Sequence, residues 1–317
     1  MNLTLADVQR AREILRSYLP MSRLVAAPSL SGGSSNVFLK LESELPTGSF
    51  KPRGALCALT IELGRRPVRE VTASSTGNHG AAVAFAARQL GSAATIFLPH
   101  HPNPVKRARI AALGAKIVEL GGDDLAAAFE EVSAYSRRDG VYFLNDATDP
   151  VLTAGPGSIA AEIFEQHPAT EVIVVPIGDT ALIRGVAAAA KLLSPGVKIV
   201  GVQAERAPSY VLSWREGRAI PTETCDTIAD GLATRTPEAE NVQAIRRLVD
   251  EVRLVSDEQM LAAIRHLLLE EHLVAEPAGA AACAAILQNE WNFEGHVVAL
   301  VTGANVTPEI LRRALNW

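Results

Sequence analysis

Residues 171–193 form the stretch EVIVVPIGDTALIRGVAAAAKLL, and this stretch decides the fold. Its first eight residues are an almost unbroken apolar run, which is typical of a β-strand buried on both faces. A short turn, Gly178-Asp179-Thr180, separates that run from an alanine-rich segment with a strong preference for helix. A buried strand joined to a helix by a short turn predicts a βα unit in a parallel sheet that helices cover on both faces.

The same order of a strand pattern followed by a helix pattern recurs along the chain. A strand pattern at residues 36–41 (NVFLKL) comes before the first such pair. The pairs are EVTAS with HGAAVAFAARQLG, ATIFLP with VKRARIAALGA, AKIVEL with DDLAAAFEEVSAYSRR, VYFLN with GSIAAEIFEQH, KIVGVQAE with a shorter helix, and HVVALVTGA with TPEILRRALNW. Strands that alternate with helices are typical of βαβ units, so we predict an α/β protein with parallel sheets.

The length of the chain bears on its domain organisation. At roughly 150 residues per domain, 317 residues predict about two domains. No tract rich in Pro, Gly or Ser divides the chain into two halves, which favours one domain inserted into another. We expect a large domain of residues 1–48 and 149–317, with a small α/β domain of residues 49–148 inserted into it.

The composition limits the kinds of partner that we expect. Hydrophobic residues make up 48% of the chain and charged residues 21%, which is ordinary for a globular protein with a large core. The formal net charge of -5 argues against nucleic acid or an anionic membrane as the main partner. Arg184 and Lys191 interrupt the longest alanine-rich stretch, so no apolar run approaches the ~18 residues of a membrane span. A small-molecule substrate is the remaining expectation.

The cysteines and the N-terminal residues bear on location. The chain contains three cysteines, Cys57, Cys225 and Cys283, an odd number at wide spacing. This pattern is typical of free thiols in a reducing compartment and not of a disulfide framework or a zinc site. Residues 1–15 carry charges and lack an apolar signal core. We therefore expect a cytoplasmic enzyme.

Three turns of small and polar residues follow predicted strands. They are SSTGNHG at residues 74–80, GDTA at residues 178–181 and TGAN at residues 302–305. Where a strand of a parallel sheet ends and a helix begins, free backbone N–H groups are available to bind an anion. Ser, Thr and Asn are also common helix caps, so each turn taken alone could be purely structural.

Lys51 lies in the segment GSFKPRG, residues 48–54, and its neighbours distinguish it from a surface lysine. Phe50 precedes it, Pro52 restricts the chain after it, and small residues flank both sides. These neighbours predict an amine partly removed from water, which lowers the pKa of a lysine and makes it nucleophilic.

The segments PTGSFKPRGA, SSTGNHGAAVAFAARQLG, TIADGLATR, EPAGAAACAA and VTGANV together resemble the fold-type-II pyridoxal-phosphate enzymes. The resemblance runs in order from about residue 19 to residue 306. The histidine after Gly77-Asn78 and the IADG and EPAG segments favour the branch of serine and threonine dehydratases and serine racemase. The resemblance implies two parallel-sheet α/β domains of the tryptophan synthase beta-like architecture and a pyridoxal 5'-phosphate cofactor. It also makes a homodimer the default assembly.

The resemblance also implies roles for individual residues. Lys51 would link covalently to the cofactor, and Phe50 would pack against the cofactor ring. Thr302 would hydrogen-bond the ring nitrogen, and Glu276 lies in a segment that flanks the cofactor. The remaining residues belong to two turns: the cofactor phosphate would lie on Gly178, Asp179, Thr180 and Ala181, and the substrate carboxylate on Ser75, Thr76, Gly77, Asn78 and His79, with Asn78 also at the ring hydroxyl.

Three positions depart from the pattern of that branch. The phosphate turn is usually four glycines, and a carboxylate at Asp179 would repel a phosphate unless the side chain turned away. Thr76 stands where racemases carry serine and many dehydratases alanine, so racemisation is neither excluded nor favoured. Relatives bind a divalent cation through a glutamate and an aspartate, and this chain has Glu205 but Val211 at those positions. We therefore expect no metal.

The resemblance implies an ammonia-lyase that eliminates the β-hydroxyl of a serine- or threonine-like amino acid and yields a 2-keto acid and ammonia. A neutral hydroxyl at the ring nitrogen favours elimination or β-replacement over transamination, but it does not separate those two. Racemase and β-replacement synthase therefore remain as alternatives. Gly155, Gly157 and Ala160 match a dinucleotide fingerprint, but residues 146–154 separate them from the preceding strand, which argues against an oxidoreductase.

Overall fold

The computed structural model describes residues 3–75, 77–98, 104–120, 125–288 and 294–316. These residues form twelve α-helices, ten β-strands and three short 3₁₀ helices. The strands are β1 (Leu24–Ala26), β2 (Ser35–Leu41), β3 (Glu70–Ser74), β4 (Ala93–Leu98), β5 (Lys116–Glu119), β6 (Val141–Phe143), β7 (Val172–Pro176), β8 (Lys198–Ala204), β9 (Glu251–Val255) and β10 (Gly295–Val301). The α-helices are α1 (Leu5–Leu15), α2 (Pro52–Arg65), α3 (Asn78–Leu90), α4 (Pro104–Ala112), α5 (Leu125–Ser136), α6 (Ala154–Gln166), α7 (Ala181–Leu193), α8 (Ser209–Glu216), α9 (Ala239–Leu248), α10 (Asp257–Leu269), α11 (Pro277–Leu287) and α12 (Pro308–Leu315).

The larger sheet has six strands in the order β1-β2-β10-β7-β8-β9. All of its pairings are parallel except that of β1 with β2. Every residue of β7 is buried, as the apolar run at its sequence predicts. The central strands are covered on both faces because helices pack on each side, as parallel sheets require.

The smaller sheet has four parallel strands in the order β5-β4-β3-β6. The helices α2 and α3 pack against each other beside this sheet. Buried residues of both helices share one apolar cluster with β3 and β4. The predicted class, an α/β protein with parallel sheets, is confirmed.

Local sequence signals account for where many helices begin and end. Pro52, Pro277 and Pro308 each stand at the first position of a helix, where a missing backbone N–H costs nothing. Ser256 caps α10 in a reciprocal arrangement with Gln259. None of the helices formed by the described residues combines the length and the apolar character needed to cross a membrane.

Two strands, β1 and β9, were not among the predicted ones. The strand β1 has only three residues and is half-buried or exposed, so its sequence carries little pattern. In β9, only Val252 and Val255 are buried, and Arg253 interrupts the apolar run. Both lie at edges of the larger sheet, where one side of a strand lacks a neighbour and a continuous apolar run is not required.

Candidate active site

A pocket of about 250 Å³ lies at the carboxyl ends of strands from both sheets. Ser75 follows β3, Gly178 follows β7 and Thr302 follows β10, and all three line this pocket. Ligands bind at this edge of parallel sheets because strands end there and helices begin. The three turns predicted from the sequence therefore meet at one site.

Lys51 is the residue that precedes α2, and its side chain lines the pocket. The backbone on its N-terminal side is fixed because Phe50 N donates to Thr302 O over 3.1 Å and Ser49 forms a β-bridge with Gly303. The ammonium nitrogen lies 5.3 Å from the centre of the Phe50 ring. Lys51 and Phe50 thus lie together beside Thr302.

The Lys51 amine makes two ion pairs that the sequence did not indicate. Its Nζ donates to Asp146 Oδ2 and to Asp179 Oδ2, each over 2.7 Å. Burial lowers the pKa of Lys51, but the two carboxylates outweigh burial, so the pKa lies above its usual value. The expected lowering of this pKa is therefore wrong, because the amine is paired with two carboxylates and not merely desolvated.

The pKa values of the two carboxylates beside Lys51 are shifted in opposite directions. Burial works to raise the pKa of Asp146, but His79 and Lys51 outweigh burial and lower it. Burial and the neighbouring Asp146 raise the pKa of Asp179. Two carboxylates in contact cannot both ionise easily. Asp146 is thus the stronger acid of the two, and Asp179 is the one more readily protonated.

The turn before α3 holds the predicted carboxylate-binding residues. Ser75 Oγ accepts hydrogen bonds from Gly77 N and Gly80 N, each of 3.0 Å, and these bonds close the turn. Asn78 is the first residue of α3, so the positive end of this helix faces the pocket. Thr76 lies outside the described residues.

His79 is buried, and its ring is held on both sides. Its Nε2 lies 2.8 Å from Leu144 O, and because a carbonyl only accepts, Nε2 carries a proton. Its Nδ1 lies 3.7 Å from Asp146 Oδ2. His79 therefore contacts the same carboxylate that pairs with Lys51.

The turn between β7 and α7 contains the predicted phosphate residues. A Cβ on Gly178 would lie 2.2 Å from Gly231 O, so only glycine fits there. Thr180 adopts a left-handed conformation with φ of +76°, which is strained for a β-branched residue. Its Oγ1 accepts a 3.0 Å hydrogen bond from Arg184 Nε, which helps to hold that conformation.

Thr302, Glu276 and Asn78 lie along another wall of the pocket. Among the described residues, Thr302 Oγ1 contacts Ala278 O at 3.5 Å, the outer limit of a hydrogen bond. Asn78 Nδ2 donates to Glu276 Oε1, and Asn78 Oδ1 accepts from Asn305 Nδ2 over 2.7 Å. Burial raises the pKa of Glu276.

Sequence analysis missed Lys106 and Asp230, which meet across the pocket. Lys106 Nζ lies 2.6 and 2.7 Å from the two oxygens of Asp230. It also lies 3.2 Å from Glu276 Oε2, which makes no hydrogen bond of good geometry within the described part of the chain. The Lys106 side chain passes over Gly77, where a Cβ would lie 2.1 Å from Lys106 Cδ. This buried ion pair connects α4 with the loop before α9 and with the start of α11.

Asp146 was also missed, although the sequence contained a signal for it. It follows β6 in the polar segment NDATD, residues 145–149, at the carboxyl end of a strand. Among the described residues, no group of three or more His, Cys, Asp or Glu side chains is arranged to hold a metal ion. Glu205 is exposed at the surface, away from the pocket lining, and Val211 is fully buried.

A half-buried lysine amine, the N-termini of two helices and a threonine hydroxyl surround one pocket of an α/β fold. This arrangement suits a class of enzyme in which a lysine reacts with a carbonyl group and backbone N–H groups bind anions. Residues 18–303 match the family model of the pyridoxal-phosphate dependent enzymes, so the chain belongs to that family.

Three known proteins show how close this likeness is. The L-threonine ammonia-lyase of Thermotoga maritima is 37% identical over 99% of this chain and 78% of its own length. The structure of maize serine racemase matches with a TM-score of 0.92 at 26% identity, over 100% of this chain and 98% of that one. The processed form of threonine deaminase isoform 2 from Solanum lycopersicum matches with a TM-score of 0.89 at 29% identity, over 98% of this chain and 86% of that one.

These comparisons confirm the predicted family, the predicted pyridoxal-phosphate cofactor and the predicted lyase class.

The pocket itself fits this cofactor at most positions. Lys51 offers a primary amine for the aldehyde, and the weak contact of Thr302 leaves its hydroxyl available to a ring nitrogen. The N-terminus of α7 and the tight turn at Gly178 suit a phosphate. Asp179 does not fit, because its carboxylate faces the pocket instead of turning away.

Proposed function

We propose that this chain is a pyridoxal-phosphate-dependent ammonia-lyase that converts a β-hydroxy α-amino acid to a 2-keto acid and ammonia. The observation that carries the proposal is the meeting of Lys51, the Ser75–His79 turn and Thr302 in one pocket. The 37% identity to an L-threonine ammonia-lyase over nearly the whole chain supports a substrate of the serine and threonine type.

The residues of the pocket would divide between cofactor and substrate. Lys51 would bond the cofactor, Phe50 would pack against its ring, and Thr302 would hydrogen-bond its ring nitrogen. Glu276 and Asn78, which are hydrogen-bonded to each other, would flank the ring. The phosphate would lie at the turn of residues 178–181, at the N-terminus of α7. The bound cofactor supplies an electron-withdrawing group that acidifies the α-hydrogen of the amino acid.

The substrate carboxylate would lie at the start of α3. Backbone N–H groups of a helix N-terminus bind anions, and Asn78 and His79 lie in the first turn of this helix. The residues of this set are Ser75, Thr76, Gly77, Asn78 and His79. Fixing the carboxylate there would fix the orientation of the α-hydrogen and the β-hydroxyl.

Lys51 is the group best placed to move the α-proton. Paired with Asp146 and Asp179, its amine is protonated near neutral pH, since both carboxylates raise its pKa. Loss of one of these partners would lower the pKa of Lys51 and make it a base. The α-proton and the β-hydroxyl would leave together as water. The released enamine would then become an imine, which water hydrolyses to the 2-keto acid and ammonia.

An amino-acid racemase is the second candidate, and one observation favours it. The match to maize serine racemase covers the whole chain at a TM-score of 0.92. Both candidates need Lys51 and the same carboxylate turn, so they differ in product and not in the residues that bind. A β-replacement synthase would share the cofactor site as well.

The test is release of 2-keto acid from a panel of β-hydroxy amino acids, including both epimers at the β-carbon. We expect at least one member to yield 2-keto acid, and K51A to lose about a thousandfold or more of the rate, since a general base contributes about 10²–10⁴-fold. The matched control is K198A, because Lys198 lies outside the pocket and is half exposed in an ion pair with Glu251. Undiminished keto acid release by K51A would contradict the proposal, and inversion of the amino acid without keto acid would favour the racemase.

We also propose the domain division, the assembly and the location that the sequence suggested. The inserted domain of residues 49–148 is supported by the smaller sheet, whose strands all come from residues 70–143. A cytoplasmic location is supported by Cys57, Cys225 and Cys283, all of which are free thiols. A homodimer is the default for this family resemblance, and sedimentation equilibrium would test it: a mass of one chain at micromolar concentration would contradict it.

A further inference from the structure

The N-terminus of α7 already holds a negatively charged side chain of the protein itself. Asp179 Oδ1 accepts a 2.9 Å hydrogen bond from the backbone N–H of Ala181, the first residue of this helix. The other oxygen, Oδ2, accepts from Lys51 Nζ over 2.7 Å. One carboxylate thus engages a helix N–H group and the lysine amine together.

The backbone of this turn has little room to shift, so it cannot readily carry the Asp179 carboxylate away from the helix N-terminus. A Cβ on Gly178 would lie only 2.2 Å from Gly231 O, so the chain before Asp179 packs directly against another backbone. After it, Thr180 is held in its left-handed conformation by Arg184. An anionic ligand at this helix N-terminus therefore meets Asp179 unless the side chain rotates or becomes protonated.

The surroundings of Asp179 make protonation easier than for an ordinary carboxyl group. Burial and the adjacent Asp146 raise its pKa, and together they outweigh the attraction of Lys51. The charged and titratable groups that face this region from neighbouring elements are Lys51, His79, Asp146, Arg184 and Tyr210.

We propose that Asp179 competes with the cofactor phosphate for the N-terminus of α7, so that this side chain controls how tightly the protein holds its cofactor. The proposal rests on the proposed function, since it places the phosphate at the turn of residues 178–181. Two anions at one helix N-terminus repel each other, so the phosphate must displace Asp179 or bind while that carboxyl is protonated. Glycine at this position would offer the N–H groups without competition.

The test measures the dissociation constants of pyridoxal 5'-phosphate and of pyridoxal, which lacks the phosphate, by the absorbance change of the aldehyde. The variants are D179N, which keeps an oxygen for Ala181 N–H but removes the charge, and D179G, which removes both. We expect D179N and D179G to tighten the binding of pyridoxal 5'-phosphate at least about tenfold more than they tighten the binding of pyridoxal, because loss of the ion pair with Lys51 affects both ligands but only the first carries a phosphate.

A second readout is the pH dependence of one ratio, the dissociation constant of pyridoxal 5'-phosphate from the unmodified protein divided by that from D179N. Above the pKa of Asp179 its carboxylate is charged and repels the phosphate, whereas below that pKa the protonated group no longer does. The advantage of D179N over the unmodified protein should therefore grow as the pH rises and shrink as it falls. A comparison between two proteins at each pH cancels the titration of the phosphate itself.

D146N is the matched control. Asp146 shares Lys51 with Asp179 but, among the residues that the structure describes, makes no hydrogen bond to the helix N-terminus. If the effect arose only from pairing with Lys51, D146N and D179N would alter the affinities for both ligands alike. Equal tightening of pyridoxal and pyridoxal 5'-phosphate by D179N, or no tightening by D179N and D179G, would overturn the proposal.

This experiment separates the failure of this inference from the failure of the proposed function. If the unmodified protein binds pyridoxal 5'-phosphate and D179N binds it no better, the cofactor assignment stands and the competition is wrong. If no form of the protein binds the cofactor while circular dichroism shows each to be folded, the proposed function and the competition both fail.

Discussion

Lys51 and Arg53 are two residues apart, and each is a cation that pairs with two carboxylates, although Lys51 is half-buried and Arg53 fully buried. Lys51 pairs with Asp146 and Asp179, 95 and 128 residues further on. Arg53 pairs with Glu42 and Glu162 and is 1% exposed. The two sets of carboxylates differ in their surroundings. Those of Lys51 face a pocket that a ligand can enter, whereas those of Arg53 are buried.

Three thiols of different exposure provide a prediction at the scale of single residues. Burial raises the pKa of Cys57 to about 12 and that of Cys283 to about 12, whereas Cys225 is only half-buried. A thiol of pKa about 12 is ionised to about one part in ten thousand at pH 8, and the thiolate is the reactive form. We expect one thiol per chain to react rapidly with a thiol reagent at pH 8, and three after unfolding.

The variant C225S is the control for that titration. It should leave no rapidly reacting thiol in the native protein, while two remain after unfolding. Raising the pH towards 10 should speed the slow thiols, since their thiolate fraction grows as the pH approaches their pKa. Rapid labelling of two or three thiols in the native protein would show that Cys57 or Cys283 is not enclosed.

At the scale of secondary-structure elements, glycines determine how closely α2, α6 and α7 approach one another. A Cβ on Gly155 would lie 2.3 Å from Arg53 O, and one on Gly185 would lie 2.3 Å from Thr153 O. In both cases the obstacle is backbone, which cannot move aside as a side chain can. These contacts hold the start of α2, and with it Lys51, against α6.

We predict that G185A destabilises the protein by about 2–3 kcal/mol, because an added methyl group overpacks a contact between two backbones. The matched control is G64A, since Gly64 lies on the exposed surface of α2, where the described part of the chain places nothing within 4 Å of its Cβ position. Alanine there should stabilise by about 0.5–1 kcal/mol through its higher helix propensity. Urea unfolding of the three proteins measures both effects, and equal changes in the free energy of unfolding would refute the packing argument.

At the scale of the whole molecule, a buried ionic network joins α2 to the larger sheet and to α6. Arg53 makes paired hydrogen bonds of 2.6–3.0 Å to Glu42 and Glu162. Lys40 on β2 adds a 2.7 Å bond to Glu162. The charges of the two cations and two carboxylates cancel. Ser22, in the loop before β1, donates a hydrogen bond to Glu42 and accepts one from Arg53. The network holds the chain segment next to Lys51 in place.

We predict that R53M lowers the free energy of unfolding by about 3–5 kcal/mol, because it leaves two buried carboxylates with Lys40 as their remaining cation. The matched control R12M removes an ion pair with Glu165 that is exposed on both sides, and should cost about 1 kcal/mol or less. Denaturant unfolding followed by circular dichroism measures both. A loss of similar size in the two variants would mean that the buried network contributes no more than a surface pair.

The sequence alone determined the α/β class, the order of most strands and helices, and the turns that form the pocket. These features follow from patterns of neighbouring residues: apolar runs that become buried strands, and small polar residues where helices begin. Lys51, the Ser75–His79 turn and Thr302 could be found because each lies next to such a pattern. The short edge strand β1 and the interrupted strand β9 carry no such pattern, and both were missed.

Only the tertiary structure decided which charged groups meet. Asp146 and Asp179 reach Lys51 because β6 and β7 both end at the pocket. Asp230 and Glu276, which precede α9 and α11, reach Lys106 on α4. The pKa of Lys51 is therefore raised where its neighbours in the sequence predicted a lowered one. Coulomb interactions depend on distance in space, and the separations of 95 and 128 residues leave no trace in local sequence patterns.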